Sequence, residues 1–250
     1  MSERAAGLLD LFSFVDNVTL GVAKYLEHLP TVQAVTVMEK EPVDASALAS
    51  WEQRHNCCLP DDAKSFYSAT DGLQLKWNVK TKDESMPGGA LEINSLAKLR
   101  RITPKQNCLH SELPTLVDLE SDSDADDKEC DGGIPSKPKF KNKCKAFLLD
   151  PCQGSGKVCL VYPGKVAENA ATPSVWFLDR ALEWHYLSPD FSSYLRLALV
   201  HLGIPHWQYV FTPWGPPPKT KQILSAFVSE RLAMDQMAHS TIGGVKLPPV

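Results

Sequence analysis

The chain has 250 residues, 43% of them hydrophobic, and a formal charge of -4 from 26 basic and 30 acidic side chains. That length supports one large domain or two small ones around a substantial core. The charge excludes a global field that would draw the molecule to nucleic acid or an anionic membrane, so any electrostatic partner must be met by a local patch.

Asp10 and Asp16 interrupt the apolar residues of 1–17, so no secretory signal is read and an intracellular setting is expected. Leu8, Leu11, Phe12, Val15, Val18, Val22, Leu26 and Leu29 recur at three- and four-residue steps and stop at Pro30. That spacing predicts one long amphipathic helix or two joined ones. A second helix is predicted from the cap Asp44, carrying Leu48 and Trp51, and a third from Asp61, just after Leu59 and Pro60, carrying Phe66. Gly72 closes the third helix.

Leu73, Leu75, Trp77 and Val79 then alternate with polar residues, the period of a half-buried strand. Pro87, Gly88 and Gly89 predict a turn, Leu91 and Ile93 a short strand, and Ser95 the cap of a helix carrying Leu96, Leu99 and Ile102. The run 117–131 holds eight acids and one lysine, too little apolar surface to order itself, and predicts a disordered insertion reaching to about 136. Lysines at 137, 139, 141, 143 and 145 alternate with other residues in a segment expected to enter a sheet extended.

The apolar runs 147–149 and 158–162 flank the loop PCQGSG and read as central strands of a hairpin, covered on both faces. Shorter strands follow at 174–178 and 182–187, then a helix opened by Ser188, Pro189 and Asp190 and ended at Gly203. The uncharged stretch 197–218 is broken by Gly203, His201, His206 and prolines, which excludes a membrane-spanning helix. Gly215 and the prolines 216–218 form a stiff spacer. Beyond it Ile223, Leu224, Phe227, Val228 and Met234 form an apolar stripe on a last helix, followed by a loose tail. Residues 1–212 are expected to form a single domain and 213–250 an appended spacer, helix and tail.

No motif specifies catalysis. Gly154, Ser155, Gly156 and Lys157 resemble the end of a phosphate loop, but the required first glycine is Pro151 and Val158 follows the lysine. The seven cysteines, at 57, 58, 108, 130, 144, 152 and 159, contain no C-x-x-C pair, so neither a zinc site nor a disulfide framework is read. Cys57 and Cys58 lie close to His55, yet residues two apart on a helix face differently. His185, His201 and His206 could approach a thiol in space, and sequence alone does not choose among them. A thiol enzyme at Cys57, Cys58 or Cys159 is one alternative reading. Ser121 and Ser123, each followed by an acid three places on, fit acid-directed phosphorylation. The lysines 137–145 could grip an acidic partner or lie beside the acidic run of their own chain.

The order Trp51-Glu52, Leu59-Pro60, Phe66-Tyr67, Asp71-Gly72, an alternating strand, and a later hairpin with Leu148 and Leu160 resembles the SUKH superfamily over about residues 40–205. The stretch WEQRHNCCLPDDAKSFYSATDGLQLKWNVK and the block VWFLDRALEWHYLSPDFSSYLRLALVHLGIPHWQYVF are the most specific matches, and they are similar to a family of subunits of tubulin polyglutamylase complexes. The resemblance implies an α+β fold with a mixed, largely antiparallel sheet flanked by helices, plus extra terminal helices. It implies a non-catalytic adaptor with no catalytic residues, cofactor or metal of its own, beside a tubulin tyrosine ligase-like ligase that adds glutamate chains to tubulin. Tubulin or microtubules would be met directly or through the complex, with no nucleic acid and no membrane insertion. The expected location is cytoplasmic, on microtubules, at the centrosome or centriolar satellites, or at the cilium base. Candidate partner-binding residues are Lys137, Lys139, Lys141, Lys143, Lys145, Ile223, Leu224, Phe227, Val228 and Met234. Trp51, Leu59, Pro60, Phe66, Gly72 and Trp77 are expected to be structural anchors.

Overall fold

In the computed structural model, residues 19, 21–80, 84–102, 144–163 and 172–242 are described. Expectations for the first turns of the N-terminal helix (Leu8 to Val18), the acidic insertion with Ser121 and Ser123, Lys137 to Lys143, and the tail beyond 242 lie outside the described residues. The described chain is α+β, with all strand pairings antiparallel in a three-stranded and a four-stranded sheet.

Helix α1 (Val22–His28) ends where Leu29 turns extended ahead of Pro30, and it buries Leu26 completely. Strand β1 (Val32–Glu39) follows, an element the periodicity reading leaves unassigned. Its alternation is broken by a bulge between Gln33 and Thr36, where Ala34 takes a left-handed φ of 53°. The extra residue shifts the register, so a strict period of two does not run through it.

Helix α2 (Ala45–His55) is preceded by Asp44 and α3 (Asp61–Tyr67) by Pro60, as expected, but α3 ends at Tyr67 with Ser68 as its cap, so Gly72 does not close it and instead leads into the next strand. Together they bury Leu48, Trp51, Ala63, Phe66 and Tyr67. Strand β2 (Leu73–Lys80) lies between β1 and β3 (Ser85–Ile93).

Two expectations are corrected here. Pro87, Gly88 and Gly89 form no turn: they lie inside β3, where Pro87 pairs with Asn78 and Gly89 with Trp77. Both glycines lie under the Trp77 indole, and a methyl at Gly89 would also come 2.6 Å from the Leu202 carbonyl oxygen. Absence of a side chain is what the tryptophan requires at these positions. Nor does Ser95 open a helix. Leu96 to Lys98 make a single turn, held by the Leu96 amide on Asp71 Oδ1 (2.6 Å) and the Leu99 amide on the Ser95 carbonyl (2.9 Å). The chain then runs extended along the sheet edge, with the Leu148 amide donating to Arg100 and the Ile102 amide to Ala146 (3.0 and 2.8 Å). So short a segment gains little from helix nucleation and much from an open strand edge.

Strands β4 (Lys145–Asp150), β5 (Lys157–Tyr162), β6 (Ser174–Leu178) and β7 (Trp184–Ser188) form a meander in chain order. Along β5, Val158, Leu160 and Tyr162 enter the main core, while Cys159 and Val161 join a second cluster with Ala146, Trp176, Leu178 and Trp184. The continuous apolar run therefore serves two buried faces.

Helix α4 (Phe191–Val200) is capped by Asp190, whose side chain accepts the Ser193 amide at 2.7 Å, and Asp62 of α3 accepts the Ser192 amide at 2.7 Å. It ends at Val200 with His201 as its cap, and the turn that follows, not the helix end, holds Gly203 (φ 61°), whose backbone lies so close to β3 that a methyl there would meet the Leu91 amide at 2.6 Å. After a 3-10 turn (Trp207–Phe211) come α5 (Pro218–Phe227) and α6 (Ser229–Ile242). The single last helix of the sequence reading is thus two, divided at Val228, whose φ of -140° and ψ of 40° are not helical. The turn lets Phe227 meet Trp77 at 5.0 Å and Asp235 reach His201 at 2.9 Å. Pro218 belongs to α5, as a proline at the first helical position does, which shortens the expected spacer. No helix of the described residues is long and apolar enough to cross a membrane.

Candidate interaction site

The last turn of α2 carries Arg54 and His55 and closes at Asn56 in a left-handed conformation (φ 49°). Three segments meet there: the end of α2, the extended stub at Arg101, and the start of β4. Trp51 anchors the junction from below, donating its Nε1 proton to the Leu99 carbonyl at 3.1 Å and packing on Phe147 at 4.9 Å between ring centres. His55 lies against both rings, 4.6 Å from Trp51 and 5.1 Å from Phe147. Arg101 bridges to Phe147 and donates from Nη2 to the Cys144 carbonyl at 3.4 Å, and Lys145 Nζ donates to the Asn56 carbonyl.

The sheet edge therefore brings Arg54, His55, Arg101 and Lys145 together on a molecule of net negative charge. The His55 imidazole feels it: partial burial holds its pKa below the usual value, and the positive fields of Arg54, Arg101 and Lys145 push it further down. Glu52 is close by, but its carboxylate already accepts the Leu59 amide (2.7 Å) and pairs with Lys64 (2.9 Å). Arg54 and Arg101 are exposed; His55 and Lys145 are half-buried. Such an arrangement can hold carboxylates by charge.

Among the expected partner-binding residues, Lys145 lies in this cluster. Leu224 lies in the main core, with Ile223, Phe227 and Val228 packed against it, while Met234 is 62% exposed. Trp51, Leu59, Phe66, Gly72 and Trp77 are buried, and Pro60 is half-buried. Sequence reading missed Arg54 and Arg101, whose local contexts are an ordinary helix end and an ordinary loop.

Burial pushes the Cys57 and Cys144 thiols each up to about 11, and it raises Cys152 and Cys159 as well. Such thiols resist forming the reactive thiolate. Cys58 is exposed. The buried acids have structural partners. Asp150 accepts the Cys152 amide (2.7 Å) and the Tyr194 hydroxyl (2.8 Å), folding the start of the β4–β5 link. Asp179 accepts the Ala181 and Glu183 amides and meets His185 at 3.0 Å. His201 places Nδ1 on the Leu197 carbonyl (2.7 Å) and Nε2 on Asp235 (2.9 Å), while Arg231 grips the same carboxylate. No group of three or more His, Cys, Asp or Glu among the described residues could hold a metal ion. A recess of about 370 Å³ between the β4–β5 and β6–β7 turns adds Lys157 and Arg180 as a further pair of cations.

These features define an α+β protein whose described buried acids serve turns and helix contacts and which gathers Arg54, Arg101 and Lys145 beside His55 at a sheet edge. The chain belongs to the tubulin polyglutamylase complex subunit 2 family. It is 42% identical to the tubulin polyglutamylase complex subunit 2 of Homo sapiens over 213 residues, covering 85% of this chain and 70% of that one. Identity is 40% to the Rattus norvegicus relative and 39% to that of Mus musculus, over the same share of this chain and 71% of each relative. No family model matches the chain, and no solved structure does.

Proposed function

We propose that this chain is a non-catalytic adaptor subunit of a tubulin polyglutamylase complex, holding a tubulin tyrosine ligase-like ligase that adds glutamate chains to tubulin. The observation that carries this reading is the family relationship, 39 to 42% identity across 85% of the chain to relatives named as subunits of that complex. The raised thiols and the structural partners of the buried acids support the absence of chemistry of its own. Its workplace would be cytoplasmic: microtubules, the centrosome or centriolar satellites, or the cilium base. Residues 1–212 would form one SUKH-like domain, against whose core α5 and α6 pack. The exposed Met234 on α6 is the part of the expected apolar stripe available to another subunit.

The test is reconstitution. Purified alone, the chain should incorporate no glutamate into microtubules; immunoprecipitated from cells, it should bring down a ligase, and depleting it should lower activity of the assembled complex. Recovery without any ligase or sister subunit, or glutamate transfer by the lone chain, would overturn the proposal.

A further inference from the structure

We infer that Arg54, His55, Arg101 and Lys145 form a docking surface for an acidic peptide, a segment whose closely spaced carboxylates belong to a partner protein. The inference rests on the adaptor reading for its setting and deepens it by naming what the subunit touches. Three chain segments distant in sequence deliver these side chains to one place. Lys145 and Arg101 are held there by backbone carbonyls, of Asn56 and Cys144, so that ligand carboxylates need not displace a competing acid from either. Among the described residues, the neighbouring carboxylate of Glu52 is engaged by Lys64 and the Leu59 amide and not by the cluster.

The chemistry of the ligand follows from scale. A long polyanion such as nucleic acid samples the whole molecule, whose charge is -4. A short carboxylate peptide feels only charges within about 8 to 10 Å, where the cluster dominates. Surface pairs of this kind are individually weak, so binding should need several carboxylates together and should fade with salt.

The test uses the full chain and a fluorescent peptide of roughly ten consecutive glutamates, read by anisotropy at low and at physiological salt. The parent should bind, with affinity falling steeply as salt rises. Arg54→Glu, an exposed change at a helix end, should weaken binding at least tenfold with unchanged melting. Arg101→Glu with Lys145→Glu should abolish it, and Lys76→Glu, on the exposed face of β2, should leave it intact. Equal binding by the parent and Arg54→Glu would overturn the inference. So would tighter binding of a single-stranded oligonucleotide of matched charge, or binding that appears only after the acids of 117–131 are neutralised, which would make the ligand intramolecular. The adaptor reading is judged separately: Arg54→Glu should still bring down the ligase, and loss of peptide binding with intact ligase recovery leaves both standing. Ligase recovery with no peptide binding by any form removes this inference alone.

Discussion

At the scale of single residues, two buried side chains carry sharp expectations. Trp51 is 3% exposed and ties α2 to both the Leu99 carbonyl and the Phe147 ring. Trp51→Ala should cost about 3 to 5 kcal/mol in denaturant unfolding, because the cavity cannot collapse under two layers. Unaltered stability with lost partner binding would show it to be a contact residue instead. Asp150 is the second case. Burial holds its carboxyl up to about 6, partly offset by the Cys152 amide and the Tyr194 hydroxyl. Between the ordinary carboxylate range and that value the folded chain binds the proton more tightly than the unfolded chain does. Its contribution to stability is therefore present in acid and lost as pH rises through about 6. Comparing parent with Asp150→Asn, the balance should move toward the parent by about 1.4 kcal/mol between about pH 7 and pH 5. A flat difference would mean that the carboxyl is solvated.

At the scale of elements, the seam between α4 and β3 and the clasp on α6 are the sensitive places. Gly203 combines a φ of 61° with a methyl-to-amide approach of 2.6 Å. Gly203→Ala should therefore destabilise by more than about 1 kcal/mol, from strain and overpacking together. Asp235 joins His201, 0% exposed, to Arg231 across the α4–α6 contact. Asp235→Ala leaves the His201 ring nitrogen and the Arg231 guanidinium without their acceptor and should cost about 1 to 3 kcal/mol, with faster amide exchange across residues 229–235 before the sheets open. Exchange unchanged in α6 would show that the helix is held by its apolar side alone.

The helices and strands with unbroken periodicity were legible in the sequence. Leu73 to Val79 alternate without interruption, and the 158–162 run is a strand covered on both faces. Elements shaped by distant partners were not. The bulge at Ala34 hides β1, and Trp77 determines why Gly88 and Gly89 stand in a strand. The Arg100–Ile102 stub is extended because β4 offers an edge, and β4 is more than forty positions away in the chain.

At the scale of the whole molecule, the last two helices belong to the packing of the main core. Leu224 is 0% exposed, Phe227 meets Trp77, and the Thr220 hydroxyl donates to the Pro205 carbonyl at 3.1 Å. Ending the chain at Pro217 would uncover Trp77 and the α4 face. The shortened protein should melt well below the parent and expose apolar surface to a dye such as ANS. A shortened chain that melts normally but fails to enter the complex would make 218–250 a docking arm.

By itself the sequence determined the inward positions of Trp51, Phe66 and Trp77, because burial and local backbone preference leave periodic traces in neighbouring residues, while the α+β class came from the resemblance that its motifs carry. Only the tertiary structure decided that Leu224 faces its own core and that Arg54, His55 and Arg101 gather around Lys145. Charge imposes no such period: cations on separate segments become one surface only when strand pairing has brought those segments side by side.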